Sequence, residues 1–423
     1  MITLRRSAAA LAVTVVLGAV AAPGASAAPT PTPVAIPSGL YGKGDPTFDG
    51  VFRQSLALLA QDRVGVEPAA KAVDWLTGQQ CDNGGFPAFR PEPGTPCDAK
   101  TQLDTNMTAA AVQALKALGG QDATVTKAVG WLKSVQNADG GWPSWPGSPS
   151  DANSTSIVIG ALQAVGEKPA DVKGKDGKSP LQALLGFQVN CDGKPGNQGA
   201  FGFQPDKDGK LAPNADATAA VVTAAAGRGG FVIDVPKEKN RPIEAAPGCK
   251  EGIADPRTAA SAGSAYLART MDENGGFLKA PPMPGSEATD KPDVGNTADA
   301  VVALAADGHK DAAQKSADWL AKNSAPWAKA SGPAAYAQLI FAAHATGMDP
   351  SAFGGTDLVR ELNATGPAPR GEKAADGAEN KDDAEKKADG GSSTAWWVIG
   401  AAFVASVGAG LLISMRNKKN KQL

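Results

Sequence analysis

The sequence predicts an all-α protein whose body is a ring of six helical hairpins, about twelve helices, and three observations carry the expectation. Between residues 49 and 365 Ala-rich runs with helical spacing recur and strand-like alternation is almost absent. The runs repeat with a fixed internal spacing. A lone helix at each end of the repeats leaves two half-units that can pair, and pairing them closes a ring with no exposed end to cap. An open solenoid is the alternative arrangement.

The chain opens with Arg5 and Arg6, an apolar run from Ala8 to Ala22 and an Ala25-Ser26-Ala27 cleavage pattern. Residues 1–27 are therefore expected to be a signal peptide removed on export. Residues 28–48 form a Pro-rich leader, and a first helix is expected over Val51–Gln61. The repeat then begins. Ala72-Val73-Asp74-Trp75-Leu76, Gln80 and Gly84-Gly85-Phe86 return at identical spacing as Ala128-Val129-Gly130-Trp131-Leu132, Gln136 and Gly140-Gly141-Trp142. Looser copies run through Phe187 and Gln188 to Gly199-Ala200-Phe201, and through Tyr266-Leu267 to Gly275-Gly276-Phe277. The fifth, Ala317-Asp318-Trp319-Leu320, decays to Ala325-Pro326-Trp327.

Each of these outer helices is followed by a more apolar inner one. Four inner helices start at Asp104-Thr105-Asn106-Met107-Thr108, Asp151-Ala152-Asn153-Ser154-Thr155, Asn214-Ala215-Asp216-Ala217-Thr218 and Asp293-Val294-Gly295-Asn296-Thr297. Gly119, Gly166 and Gly308 each follow the threonine by eleven residues, the place for a left-handed residue that ends a helix. The fifth inner helix ends at Gly347 and carries Tyr336 in the threonine slot. A last helix over Thr356–Asn363 completes the set.

Residues 366–393 are a mixed-charge Gly, Ala, Lys and Asp tract with little to bury, expected to be a disordered linker. Residues 394–415 include the uncharged run Ala395–Met415, long enough to cross a bilayer as one helix. Trp396 and Trp397 suit the outer interface, and residues 416–423, with Arg416, Lys418, Lys419 and Lys421, suit the cytoplasm. The expected protein is a single-pass cell-membrane protein with its body outside. Leu362-Asn363-Ala364-Thr365-Gly366 loosely resembles a Leu-Pro-x-Thr-Gly sorting signal, but it lacks the proline and the span begins far downstream. That argues against covalent wall anchoring. Four cysteines in an exported chain favour disulfides, with Cys81–Cys97 and Cys191–Cys249 the preferred pairs and the other two connectivities open. A formal net charge of −2 without a basic stripe makes nucleic acid a poor partner.

The glutamine before the double glycine and the aromatic after it resemble the Gln-Trp repeat of squalene-hopene cyclases and the related repeats of protein prenyltransferases. The resemblance spans residues 50–363 and implies the α/α toroid of that terpenoid cyclase and prenyltransferase family. The physical role of these residues is structural: glycines permit the tight exit from a helix, the ring packs over it, and the amide satisfies free backbone groups. The family's activities each need residues that can be sought. Asp-x-Asp-Asp of the alkene-protonating cyclases is absent, no Asp-rich magnesium cluster occurs in the body, and the thioester sequence Gly-Cys-Gly-Glu-Gln is missing. The Asp, Cys and His zinc set is lacking too, the two histidines, His309 and His344, reading as surface or capping residues. No metal site or cofactor is identified.

The inner-helix starts remain. Asp104, Asn106, Asp151, Asn153, Asp216, Asp293 and Tyr336 stand where several helices converge on one mouth of the ring, and are the candidate ligand-binding residues. Asp, Asn and Thr are also favoured helix caps worth about 1 kcal/mol each, so capping is the competing explanation. Secreted, disulfide-bonded and without recognisable catalytic residues, the chain resembles in gross features the ring domain of the cobalamin carriers, though their second, β-rich domain has no counterpart. The expectation is a non-catalytic surface protein that binds a corrinoid or another bulky, partly apolar ligand, with a membrane transporter as recipient. An isoprenoid-handling enzyme, a glycan-cleaving ring using a pair among Asp104, Asp151, Asp216 and Asp293, and a structural or adhesive protein are the alternatives.

Overall fold

A computed structural model describes residues 34–189, 194–246, 255–281 and 290–371. The signal peptide, the linker beyond residue 371, the apolar run 394–415, the basic tail, Cys191 and Cys249 lie outside the described residues. The fold described here belongs to Ala35–Leu423, the larger of two compact units; of the other, Met1–Val34, only Val34 is described. Among the described residues no helix is long and apolar enough to cross a membrane.

Thirteen α-helices are described: α1 (Gly50–Arg63), α2 (Ala70–Gly78), α3 (Thr105–Leu118), α4 (Asp122–Ser134), α5 (Ala152–Ala164), α6 (Pro180–Leu185), α7 (Ala215–Ala225), α8 (Pro256–Glu273), α9 (Val294–Ala306), α10 (Lys310–Asn323), α11 (Ala325–Ser331), α12 (Pro333–Thr346) and α13 (Leu358–Asn363). Twelve of them are the expected set, and α11 is an additional short helix where the fifth repeat decays. The third outer helix, α6, ends at Leu185, before the Phe187 and Gln188 that marked it.

The apolar helices α1, α3, α5, α7, α9 and α12 pack in sequence, and α12 packs back on α1, so the inner ring is closed. Their starts lie at one end, because each is tied to the loop that precedes the next: Val51 N donates to Ala88 O, Thr105 N to Ser144 O and Ala152 N to Phe203 O. Helices α2, α4, α6, α8, α10 and α13 pack on the outside. Inner faces are buried almost throughout, as in α3, where every residue from Thr105 to Leu115 is buried. Gly119, Gly166, Gly308 and Gly347 all take positive φ, as their spacing predicts.

One device recurs at four of the hairpins. The threonine in the first turn of the inner helix accepts a backbone hydrogen bond from the residue closing the glycine turn: Phe86 N to Thr108, Trp142 N to Thr155, Phe201 N to Thr218 and Leu278 N to Thr297, all at 2.9–3.0 Å. Two-residue antiparallel ribbons reinforce it, β1 (Phe86–Pro87) with β2 (Leu103–Asp104) and β3 (Leu278–Lys279) with β4 (Pro292–Asp293). The threonine bond corrects the register of the fourth repeat. Leu278, not Phe277, occupies the buried position of Phe86, while Phe277 turns outward and stacks on Trp319 at 4.8 Å. The glutamines act as their chemistry predicts, Gln80 Nε2 donating to Gly84 O and Thr124 O, and Gln136 Nε2 to Gly140 O.

The folded body reaches beyond residues 49 and 365 at both ends. Tyr41 is fully buried, its hydroxyl bonding Gln61 and Pro367 O, while Gly42 N donates to Thr365 O and Arg370 pairs with Glu67. Gln61 Nε2 donates to Asn363 Oδ1, joining α1 to α13. Cys81 and Cys97 form the expected disulfide. His309 stands at the N-cap position of α10 but its side chain caps nothing: it is buried, with its ring nitrogens on Asp307 and on Arg241 O, and fastens the segment after α7 to the ring.

Candidate functional site

Capping and ligand roles separate once the inner-helix starts are compared. Asp104 caps α3 by accepting from Asn106 N and Met107 N at 2.7 and 3.0 Å. Asp151 caps α5 through Ser154 N and also accepts from Ser154 Oγ, both at 2.7 Å. Asp293 caps α9 through Asn296 N. On α7 the cap is Asn214, which leaves Asp216 free for other work in the first turn. Asn106 and Asn153 are likewise two residues past their caps.

These side chains form an arc of separate hydrogen-bonded groups. Asn106 Nδ2 reaches Ser144 Oγ at 3.4 Å, Ser144 and Ser154 hydroxyls lie 3.1 Å apart, and Ser154 meets Asp151. Asn153 Nδ2 donates to Asp216 Oδ2 at 2.6 Å across α5 and α7. Two residues that sequence reading missed extend the arc: Asp299 on α9 receives Gln338 Nε2 of α12 on both carboxyl oxygens at 3.1 and 3.0 Å. Asp299 is the one charged residue inside α9, and that is the signal for it. Trp145, beside Asp104, was also missed, and its side chain favours the ionised form of that carboxyl.

Burial dominates the electrostatics. It pushes Asp104 up to about 7, against hydrogen bonds from Met107 and Asn106, with the charge of Asp151 adding to the rise. Asp151 is pushed up to about 6 by burial, opposed by the Ser154 bonds. Burial carries Asp216 to about 7 despite the Asn153 bond, helped by repulsion from Asp293 and Asp151. Asp299 reaches about 7 by burial and by repulsion from Asp216, and burial also raises Asp293. Asp216 and Asp299 keep part of their surface accessible at the mouth, so the rise reflects enclosure by the ring.

Tyr336 does not join this arc. It is buried in the threonine slot of α12, where burial raises its hydroxyl and its charged neighbour is Glu361 of α13.

Beside the arc stands an aromatic cluster. The segment after α7 turns into the ring, where Phe231 meets Phe52 of α1 edge-on at 5.6 Å and stacks over Phe341 of α12 at 6.5 Å. Phe231 N donates to Gln113 Oε1 of α3, and Gly230 lies against Gly160 of α5 so closely that no Cβ fits there. Gln113 and Gly160 each stand seven residues after Asn106 and Asn153, about 10 Å deeper at the helical rise. Asp234 of the same segment pairs with Arg63.

Residues 51–222 match the family model of the prenyltransferase alpha-alpha toroid domain. Among solved structures, a protein from Actinoplanes is 16% identical with a TM-score of 0.40, the match covering 71% of this chain and 78% of that one. The cellobiose 2-epimerase from Spirochaeta thermophila DSM 6192 is 15% identical with a TM-score of 0.38, covering 71% and 76%. A sugar epimerase from a ruminal bacterium is 12% identical with a TM-score of 0.37, covering 66% and 78%. No curated protein matches the chain.

Proposed function

Given that residues 51–222 belong to the prenyltransferase alpha-alpha toroid domain family, we propose that the protein is a cell-surface binding protein whose ring mouth captures a bulky, partly apolar ligand. One observation carries this reading: an arc of aspartates and carboxamides stands beside the half-buried aromatic pair of Phe52 and Phe231. Ligand sites combine such an apolar surface with a few placed polar groups. A corrinoid, an extended ring fringed with carboxamides, is the leading candidate. The anchor is residues 394–415, proposed from their uncharged apolar length and the basic tail, with a membrane transporter as recipient.

The test is a tryptophan-fluorescence titration of the full chain with cobalamin and cobinamide, corrected for their absorbance and checked by calorimetry. Saturable binding at micromolar affinity or tighter supports the corrinoid. No heat and no quenching beyond the correction removes the corrinoid and turns the search to glycans and polyprenyl lipids.

A second reading rests on Asp104 and Asp151. Two neighbouring carboxyls that titrate near neutrality are what general acid–base chemistry uses, and an enzyme acting on a glycan or an isoprenoid would use them. Product formed from an oligosaccharide or a polyprenyl diphosphate, and lost in Asp151→Asn, would replace the binding reading.

A further inference from the structure

With its carboxyls ionised, the mouth presents hydrogen-bond acceptors without the donors to match them. Asn153 and Gln338 each direct their N–H groups to an aspartate, which leaves Asn153 Oδ1 and Gln338 Oε1 without a partner. Further round the ring Asn106, only 3% exposed, is in the same condition, with Nδ2 on Ser144 and Oδ1 unpartnered. Buried polar groups ordinarily find partners, so three orphaned oxygens in one mouth point to a donor that the chain itself does not supply.

The charges point the same way. Asp104, Asp151, Asp216, Asp293 and Asp299 act on one another, and among the described residues no Lys, Arg or His is a leading influence on any of them. Buried carboxylates are normally paired with a cation. Among the described residues no three His, Cys, Asp or Glu side chains are grouped to hold a metal ion. An ammonium group offers three donors and no acceptor, the complement of this lining.

We propose that the mouth binds an apolar organic cation, a molecule with an aliphatic or aromatic body and at least one primary ammonium group. The ammonium is received by Asp216 and Asp299 together with the free oxygens of Asn153 and Gln338, and the body lies on Phe52 and Phe231. This rests on the binding-protein reading and narrows its ligand. Asp216 faces Asn153, Asp151, Asp293 and Asp299; Asp299 faces Gln338, Asp216 and Asp293. Cation entry therefore displaces protons from these carboxyls, and affinity rises as pH increases from about 5 to about 8.

Calorimetry of the full chain with diaminooctane and with octanediol, its neutral counterpart, tests the class. The diamine is expected to bind at least about tenfold more tightly, a difference of about 1.4 kcal/mol. Its binding heat should vary with the ionisation heat of the buffer, because protons are released. Asp216→Asn combined with Asp299→Asn should abolish the preference. If that variant does not fold, Gln338→Leu should weaken the diamine and leave the diol unchanged. Equal binding of diamine and diol overturns the cationic class, as does diamine binding that survives these substitutions. Loss of the diamine alone with cobinamide still bound overturns the cation and spares the binding-protein reading; loss of all three ligands overturns both.

Discussion

Asp104 and Asp299 both carry carboxyls that burial pushes up to about 7, yet one caps a helix and the other caps nothing. Alanine separates the two roles. Asp104→Ala removes the acceptor of Asn106 N and Met107 N and should cost about 1 kcal/mol of stability in thermal melts. Asp299→Ala relieves repulsion with Asp216 at the loss of the Gln338 bond, so melting should change less than in Asp104→Ala while ligand titration shows lost affinity. The raised carboxyls also set a pH dependence. Folded, Asp104, Asp216 and Asp299 hold their protons up to about 7, against 3.8 ordinarily, so the folded state binds more protons in between. Their contribution to stability is complete below about pH 4 and is lost as pH rises through about 7. Melts across that window should show stability falling toward neutrality, and asparagine at the three positions should flatten the slope. A rise in stability over the same window would contradict these assignments.

At the scale of the element, each hairpin depends on its glycine turn. Gly84 has φ of +96° and lies against the carbonyl of Lys127 on α4, so a side chain there meets backbone that cannot give way. Gly84→Ala should cost at least about 1–3 kcal/mol from the backbone conformation alone. Gly94→Ala, in open space and at negative φ, should be neutral in the same denaturant titration. Thr108, Thr155, Thr218 and Thr297 look like helix starters in the sequence, but their hydroxyls hold the glycine turn to the inner helix. That pairing between distant segments has no local signature. The local pattern therefore places the fourth repeat one residue out of register: Phe277 is the more conspicuous aromatic, and only the bond from Leu278 N to Thr297 identifies the buried position.

For the whole molecule, closure depends on segments outside the repeats. Ending the chain at Ala364 removes the Thr365, Pro367 and Arg370 contacts with Gly42, Tyr41 and Glu67, and should lower the melting temperature with helical circular dichroism kept. A chain ending at Gly371 retains that seam. If residues 394–415 are the anchor, it should appear in the culture medium while the full chain stays in the membrane fraction. Equal distribution of both chains would remove the anchor from the proposal.

Sequence alone determined the helix order and the division into inner and outer helices, because helical periodicity and the repeated glycine turns are local properties written within one hairpin. It also marked Asp104, Asp151 and Asp293 at the ends of inner helices, since caps are chosen by the residues beside them. Tertiary structure decided what those ends face. Asp299 and Gln338 are some forty residues apart and join the arc only because α9 and α12 are ring neighbours, whereas Tyr336, two residues from Gln338, faces away from it. The aromatic cluster is likewise a product of the ring: Phe231 belongs to an irregular segment, and it becomes part of the site only by reaching the side chains of α1, α3 and α12 at once. Periodicity specifies which face of a helix is buried, and only packing specifies which residues of distant helices share one enclosed space.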